Sequence, residues 1–318
     1  MASPPLLVIA GATATGKTGL SLDVAESLRA QGIPAGIISA DSRQVYRGLD
    51  IGTAKVSAAD RARVPHHGLD LVDPDEPFSV ADFVRHARGA LAAIAADEGL
   101  AILVGGTGLY LRAVARGLDV EALPSDPALR ARIDAALIED GLEAAAERLR
   151  RLAPALAAST DLRNPRRVSR ALEIAELAGD VERPELGGYS GRAAWIGLTV
   201  PDETHRTWIA ERARAQFDAG LIEEAAALRK RWDPALPAFS AIGYREAWAV
   251  LDGAMDREAA IAEDARRNVA FARRQRTWFR SEPEIHWLDA GSTDLRALAM
   301  DTGRRLVHES RSPANVPR

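Results

Sequence analysis

Cysteine is absent from all 318 residues, which excludes disulfides, cysteine-held zinc and thiol catalysis. Lysine is nearly absent: of 41 basic residues only Lys17, Lys55 and Lys230 are not arginine. A lysine kept against such a bias points to a place that needs a compact point charge rather than a planar fork. Lys17 and Lys55 are the candidates, whereas Lys230 stands in the basic run Arg229-Lys230-Arg231 at a helix end. No apolar run is long enough to span a bilayer and the first residues lack a signal-peptide pattern, so a cytoplasmic protein without a membrane partner is expected. A net charge of −4 provides no global attraction to nucleic acid, and any such binding must use local basic patches. There is no internal repeat. What remains is an ordinary globular balance, 47% hydrophobic and 27% charged, with length for one large domain plus an insertion, or for two domains.

The most informative stretch is Gly11-Ala12-Thr13-Ala14-Thr15-Gly16-Lys17-Thr18, which fits the phosphate-binding loop pattern. Backbone amides of such a turn converge on phosphate oxygens, and the helix behind adds partial positive charge. Lys17 brings a full charge to the outer phosphates, and the Thr18 hydroxyl is the candidate Mg²⁺ ligand. The apolar run Leu6 to Ala10 before the loop reads as a buried strand. Leu20, Val24 and Leu28 after it keep helical spacing. A nucleoside triphosphate such as ATP is the default occupant; the loop alone does not say which phosphate compound it holds.

A second strand, Ala35 to Ala40, ends in Asp41-Ser42-Arg43-Gln44-Val45-Tyr46. Strand, loop, helix and strand open a parallel α/β sheet whose ligands bind off the carboxyl ends of its strands. That geometry brings Asp41 near the loop, either as an N-cap or Mg²⁺ partner or as a carboxylate acting on substrate. The paired His66 and His67 have no third ligand at a suggestive spacing and read as structural or substrate-contacting. Ser79 to Ala96 reads as an amphipathic helix. A third strand, Ala101 to Val104, runs into Gly105-Gly106-Thr107 where a nucleotide hydrolase would carry an acid. Its glycines allow close backbone approach to a ligand, and Thr107 offers a hydroxyl.

From about Leu118 the pattern becomes helical. Seven arginines stand between Arg148 and Arg170, either a solvated face or a nucleic-acid backbone site. Ala194 to Val200 returns to strand, and two helices follow, about His205 to Asp218 and Leu221 to Trp232. Later, Phe271 to Arg280 interleaves aromatics with arginines and a glutamine, either a packed helix end or a base-stacking segment. Ile285 to Leu288 reads as a last strand before a final helix. After about Ser310 the tail, with Pro313 and Pro317, is expected to be disordered.

Taken together, GATATGKT, DSRQVY, DIGTAK, PHH, GGTGLY, RRVSRALE, AIGYRE and RQRTWFR, in that order, make the chain resemble the tRNA dimethylallyltransferases (tRNA isopentenyltransferases). The resemblance implies an α/β fold, a P-loop NTPase-like parallel-sheet core (1–118 and 192–318) with an all-helical tRNA-binding insertion (119–191). It implies transfer of a dimethylallyl group from dimethylallyl diphosphate to N6 of adenosine 37 of tRNA, with Mg²⁺ as cofactor, by a monomer. Lys17, the loop amides and Mg²⁺ on Thr18 would take up the charge on the leaving diphosphate. Asp41 would be the base on N6–H, and Thr107 would position the reacting groups. Carried over by motif, Asp41, Ser42, Arg43, Gln44, Arg130, Arg166, Arg167, Val168, Ser169, Arg170, Arg274 and Gln275 would contact tRNA.

The family usually carries two arginines after the strand at Ala194 to Val200. A gapless match places Asp202 and Trp208 there, and Arg206 and Arg212 keep the spacing one turn later as phosphate-binding candidates. The insertion also looks short around Gly179 to Gly188. The rival readings are an adenylate isopentenyltransferase acting on a free nucleotide and, less well supported, a P-loop small-molecule kinase or a non-catalytic tRNA-binding protein.

Overall fold

The computed structural model describes residues 3–182 and 184–311; the proline-containing tail, from 312 on, lies outside them. Two compact units divide the chain, Met1–Arg116 with Gly188–Arg318, and Gly117–Gly187.

The first unit opens with β1 (Leu6–Gly11), α1 (Lys17–Ala30), β2 (Ala35–Ser39), α2 (Ala58–Arg63), β3 (His66–His67), α3 (Val80–Ala96), β4 (Leu100–Gly105) and α4 (Gly108–Ala115). The second holds α5 (Pro127–Asp140), α6 (Leu142–Leu152), α7 (Pro154–Ala158) and α8 (Pro165–Ala178). The first unit then resumes with β5 (Ala193–Thr199), α9 (Asp202–Asp218), α10 (Leu221–Arg229), α11 (Tyr244–Leu251), α12 (Arg257–Phe279), β6 (Ile285–Asp289) and α13 (Leu295–Arg311).

Six parallel strands form one sheet in the order β3-β2-β4-β1-β5-β6. β1, β2 and β4 are buried along their whole length, as continuous apolar runs require when helices cover both faces. Leu20, Val24 and Leu28 of α1 pack with Leu7, Ile9 and Ile102. The helix spacing read from the chain is therefore a core-facing stripe. A capping box between Ser79 and Asp82 starts α3 and satisfies otherwise orphan amides. Because β1 lies between β4 and β5, the loop at its carboxyl end stands beside the ends of both neighbours.

One strand was not read from the sequence. β3 is only two residues long, too short for any period-2 pattern. It places His66 and His67 in the sheet, where burial pushes both imidazoles below their ordinary value; among the described residues no group of three or more acids or histidines could hold a metal. Lys55, singled out by its rarity, is placed by the fold: its side chain is 1% exposed and its ammonium donates to Asp50 (2.7 Å), Asp70 (2.6 Å) and the Tyr46 carbonyl (2.9 Å). A compact charge with rotatable donors is what such a converging set of acceptors needs, so composition marked a structural clamp.

In the second unit, Leu149, Leu156, Val168, Ala171 and Leu172 form the core. Glu173, fully buried, is bonded by Arg130 (Nη2, 2.5 Å), Arg170 (Nη1, 2.5 Å) and the Asp126 amide (2.7 Å). A buried carboxylate requires such partners.

Candidate active site

The site is built on the turn after β1. Gly16, the N-cap of α1, is left-handed (φ 79°), and no side chain caps the first-turn amides, which leaves them for an anion. Thr15 Oγ1 donates to the Ala12 carbonyl at 2.9 Å, and the Lys17 ammonium donates to the same oxygen. Burial, reinforced by Arg212, pushes Lys17 down to about 7, with Asp41 pulling the other way. Thr18 is exposed on the first turn of α1.

Thr13, in the middle of the turn, is held at each of its polar atoms by helices from the far end of the chain. Its N–H donates to Gln275 Oε1 at 2.8 Å. Its carbonyl accepts from His205 Nε2 at 2.8 Å, which fixes the imidazole tautomer because a carbonyl can only accept. Its hydroxyl accepts from Arg212. Burial depresses the Arg212 guanidinium, opposed by Asp41 and Asp264, and its Nε is buried with no hydrogen-bond partner among the described residues. Two half-buried cations thus sit against the loop, bonded mainly to the loop itself. Arg212 also lines a cavity of about 600 Å³ with Ile51, Lys55, Asp70 and Gln216, a volume in the small-molecule range.

Two further strand ends meet here. Asp41 follows β2; its Oδ1 accepts the Arg43 amide at 2.8 Å in a local turn, and its charge reaches Lys17, Arg212 and Tyr110. Thr107 follows β4; its hydroxyl accepts the Ser42 amide at 3.1 Å, joining the two ends. On their side-chain side the glycines here are closed by protein. A Cβ on Gly105 would overlap the Ala40 carbonyl, one on Gly106 the Gln275 amide nitrogen, and one on Gly108 the Trp278 ring.

The remaining residues singled out in the sequence separate by exposure. Arg206 lies exposed on α9, while its neighbour His205 faces the loop. Arg43 reaches the Pro237 carbonyl (2.9 Å), and Gln44 is bonded to Ser39 (2.8 Å) and the Thr53 carbonyl (3.1 Å). In α8, Arg166 and Arg167 are exposed. Val168 and Ser169 are 0% and 2% exposed, so their side chains form core rather than surface. Arg130 and Arg170 are taken up by Glu173. On α12, Arg274 is exposed beside Phe271, but Gln275 is 7% exposed with both amide ends bonded internally.

Sequence reasoning did not single out His205 or Asp264. Asp264 is 1% exposed, bonded by Asn268 (2.7 Å), and burial pushes it up to about 6. Neither carries a local signal, because each acquires its place from how α9 and α12 pack together. Asp202, at one of the positions where the family usually has an arginine, pairs instead with Arg276 of α12.

A family model described as IPP transferase matches residues 44–282. The tRNA dimethylallyltransferase of Anaeromyxobacter sp. (strain K) is 44% identical over 315 residues, covering 97% of this chain and 99% of that protein. The tRNA dimethylallyltransferase of Roseiflexus sp. (strain RS-1) is 41% identical over 308 residues, 95% of this chain and 99% of that protein. Among solved structures, the full-length tRNA isopentenylpyrophosphate transferase from Bacillus halodurans matches with a TM-score of 0.69 and 36% identity, covering 96% of this chain and 97% of that one. A phosphate loop gripped by α9 and α12, an acid after β2, a threonine after β4 and these matches together place the chain in the IPP transferase family.

Proposed function

We propose that the protein transfers a dimethylallyl group from dimethylallyl diphosphate to N6 of adenosine 37 of tRNA and releases diphosphate, in the cytoplasm. The observation that carries this reading is the pairing of two half-buried cations, Lys17 and Arg212, hydrogen-bonded to Ala12 and Thr13 of the loop, with an acid, Asp41, at the end of β2, two strands from β1. Beyond β4, where hydrolysis would call for a further acid, stand Gly106 and Thr107.

The allylic C–O bond breaks and its electrons leave with the diphosphate. Lys17, the first-turn amides of α1 and Arg212 accept that charge in a site where burial strengthens each interaction. The N6 lone pair forms the new C–N bond. Asp41 accepts a hydrogen bond from N6–H, raises electron density on the nitrogen and then takes its proton. Thr107, tied to Ser42 at 3.1 Å, keeps Asp41 in register with the end of β4. The adenine leaves its stack to reach this point, at roughly a few kcal/mol. Mg²⁺ fits the donor set. Thr18 presents a hard hydroxyl oxygen on the first turn of α1, and Mg²⁺ is commonly held by few protein ligands plus substrate phosphates and water. When bound it neutralises charge on the diphosphate.

Exposed Arg166 and Arg167 of the insertion, with Arg274 of α12, are the side chains we assign to the tRNA backbone. The test is incubation with radiolabelled dimethylallyl diphosphate, Mg²⁺ and either unmodified tRNA or AMP. Label is expected in tRNA, at the adenosine 3′ of the anticodon. Label in AMP alone would replace this reading with that of an adenylate isopentenyltransferase.

A further inference from the structure

Gln275 carries consequences that a residue on an RNA-facing segment would not. It stands in the RQRTWFR run between exposed Arg274 and half-buried Arg276, yet it is 7% exposed. Its Oε1 accepts the Thr13 amide at 2.8 Å, and its Nε2 donates to the Gly106 carbonyl at 3.0 Å. One amide plane therefore spans the turn after β1 and the residue preceding Thr107. The Thr13 amide is thereby spent on Gln275. The fit is close: a Cβ on Gly106 would overlap Gln275 Nε2, while the next neighbours lie at an ordinary 3.4 Å. One turn on, Trp278 fills the space over Gly108 and lies beneath the Arg112 guanidinium at 4.5 Å. The last turns of α12 are thus keyed into successive glycines at the end of β4.

We infer that Gln275 is a positioning residue that sets the spacing between the leaving-group loop and the acceptor-side strand end, rather than a contact to tRNA. The inference rests on the reading of residues 11–18 as the diphosphate site. The loop side fixes where the donor's breaking bond lies. The Gly106 side, through Thr107 and its bond to the Ser42 amide, fixes where Asp41 and the incoming amine lie. Transfer requires these two ends in line, and an error on the order of 1 Å in such an alignment costs about 100-fold in rate. α12 is suited to this because it is one 23-residue helix, so the side chain that holds the spacing is seated on a rigid element.

The test compares Gln275→Ala, Arg274→Ala, Gly106→Ala and the double variant Gly106→Ala with Gln275→Ala. Single-turnover rates are measured at saturating donor and tRNA, and tRNA affinity by filter binding, well below each variant's melting temperature. Gln275→Ala should lower the saturated rate by roughly 100-fold and leave tRNA affinity within about twofold. Arg274→Ala, which removes an exposed charge from the same helix, should instead weaken tRNA affinity. Gly106→Ala should resemble Gln275→Ala, and adding it to Gln275→Ala should change the rate by less than about twofold, because the truncated side chain has vacated the space. Weakened tRNA binding with an intact saturated rate would overturn the inference and return Gln275 to an RNA contact. So would an unchanged rate, or a rate loss that only follows the unfolded fraction. Lys17→Ala, run alongside, separates the two levels: unchanged donor affinity there overturns the diphosphate reading whatever Gln275→Ala does.

Discussion

At the scale of the residue, Lys17 and Asp41 make the chemistry testable one side chain at a time. Burial and the Arg212 charge lower the Lys17 ammonium to about 7, so it loses its proton as pH rises through neutrality. Diphosphate binding favours the charged form. The donor KM should therefore be lowest below about pH 7 and rise above it, by up to tenfold per pH unit. Lys17→Arg keeps its charge throughout and should flatten that rise, at whatever rate it retains. A donor KM that stays level to about pH 9 in the native enzyme would remove Lys17 from the binding step. Asp41→Asn keeps the shape and the local turn acceptor but loses the base. Turnover should fall by about 10²–10⁴-fold with tRNA affinity held within a few-fold. If Asp41 serves only as a turn residue, the variant should melt earlier with its rate intact.

At the scale of the element, α8 divides its arginines by the face on which they stand. Arg166 and Arg167 point to solvent, whereas Arg170, with Arg130 from α5, is bonded to Glu173 in the unit's interior. Replacing Arg166 and Arg167 by alanine should weaken tRNA binding and reduce its salt dependence, by roughly 0.7–0.9 in slope for each phosphate left without its arginine, with thermal stability nearly unchanged. Arg130→Ala should act the other way, because it withdraws a partner from a fully buried carboxylate. A drop in melting temperature of roughly 5 °C is expected, which corresponds to about 1 kcal/mol in a unit of this size. Equal losses of tRNA affinity from both variants would mean that the internal pairing with Glu173 does not persist in solution.

At the scale of the whole molecule, the two compact units predict two patterns of protection. Pyrophosphate with Mg²⁺, followed by hydrogen exchange, should slow amides of residues 11–18 and of α9 and α12, which hold Thr13, and leave 117–187 unchanged. Unmodified tRNA should also slow exchange in α8. Slowing of 117–187 by pyrophosphate alone would contradict a donor site built only on the first unit. Among the described residues no helix is long and apolar enough to cross a membrane.

The sequence by itself determined the parts whose physics is local. The phosphate turn is legible because glycine and lysine at set spacing follow an apolar run, and β2, β4 and β5 are legible because buried parallel strands are continuous apolar segments. The helical character of the insertion follows from its prolines and its Ala/Leu/Arg pattern. What only the tertiary structure decided is which side chains from distant segments face one another. His205, Arg212 and Gln275 reach Thr13 across 192, 199 and 262 residues of chain, and no local pattern encodes such a meeting. Among the seven arginines between Arg148 and Arg170 the sequence likewise could not tell Arg170, bonded to Glu173, from the exposed Arg166 and Arg167, since a charged side chain reads the same whether it faces solvent or Glu173. Nor does a missing side chain name its neighbour: only the fold set Ala40, Gln275 and Trp278 against the glycines after β4.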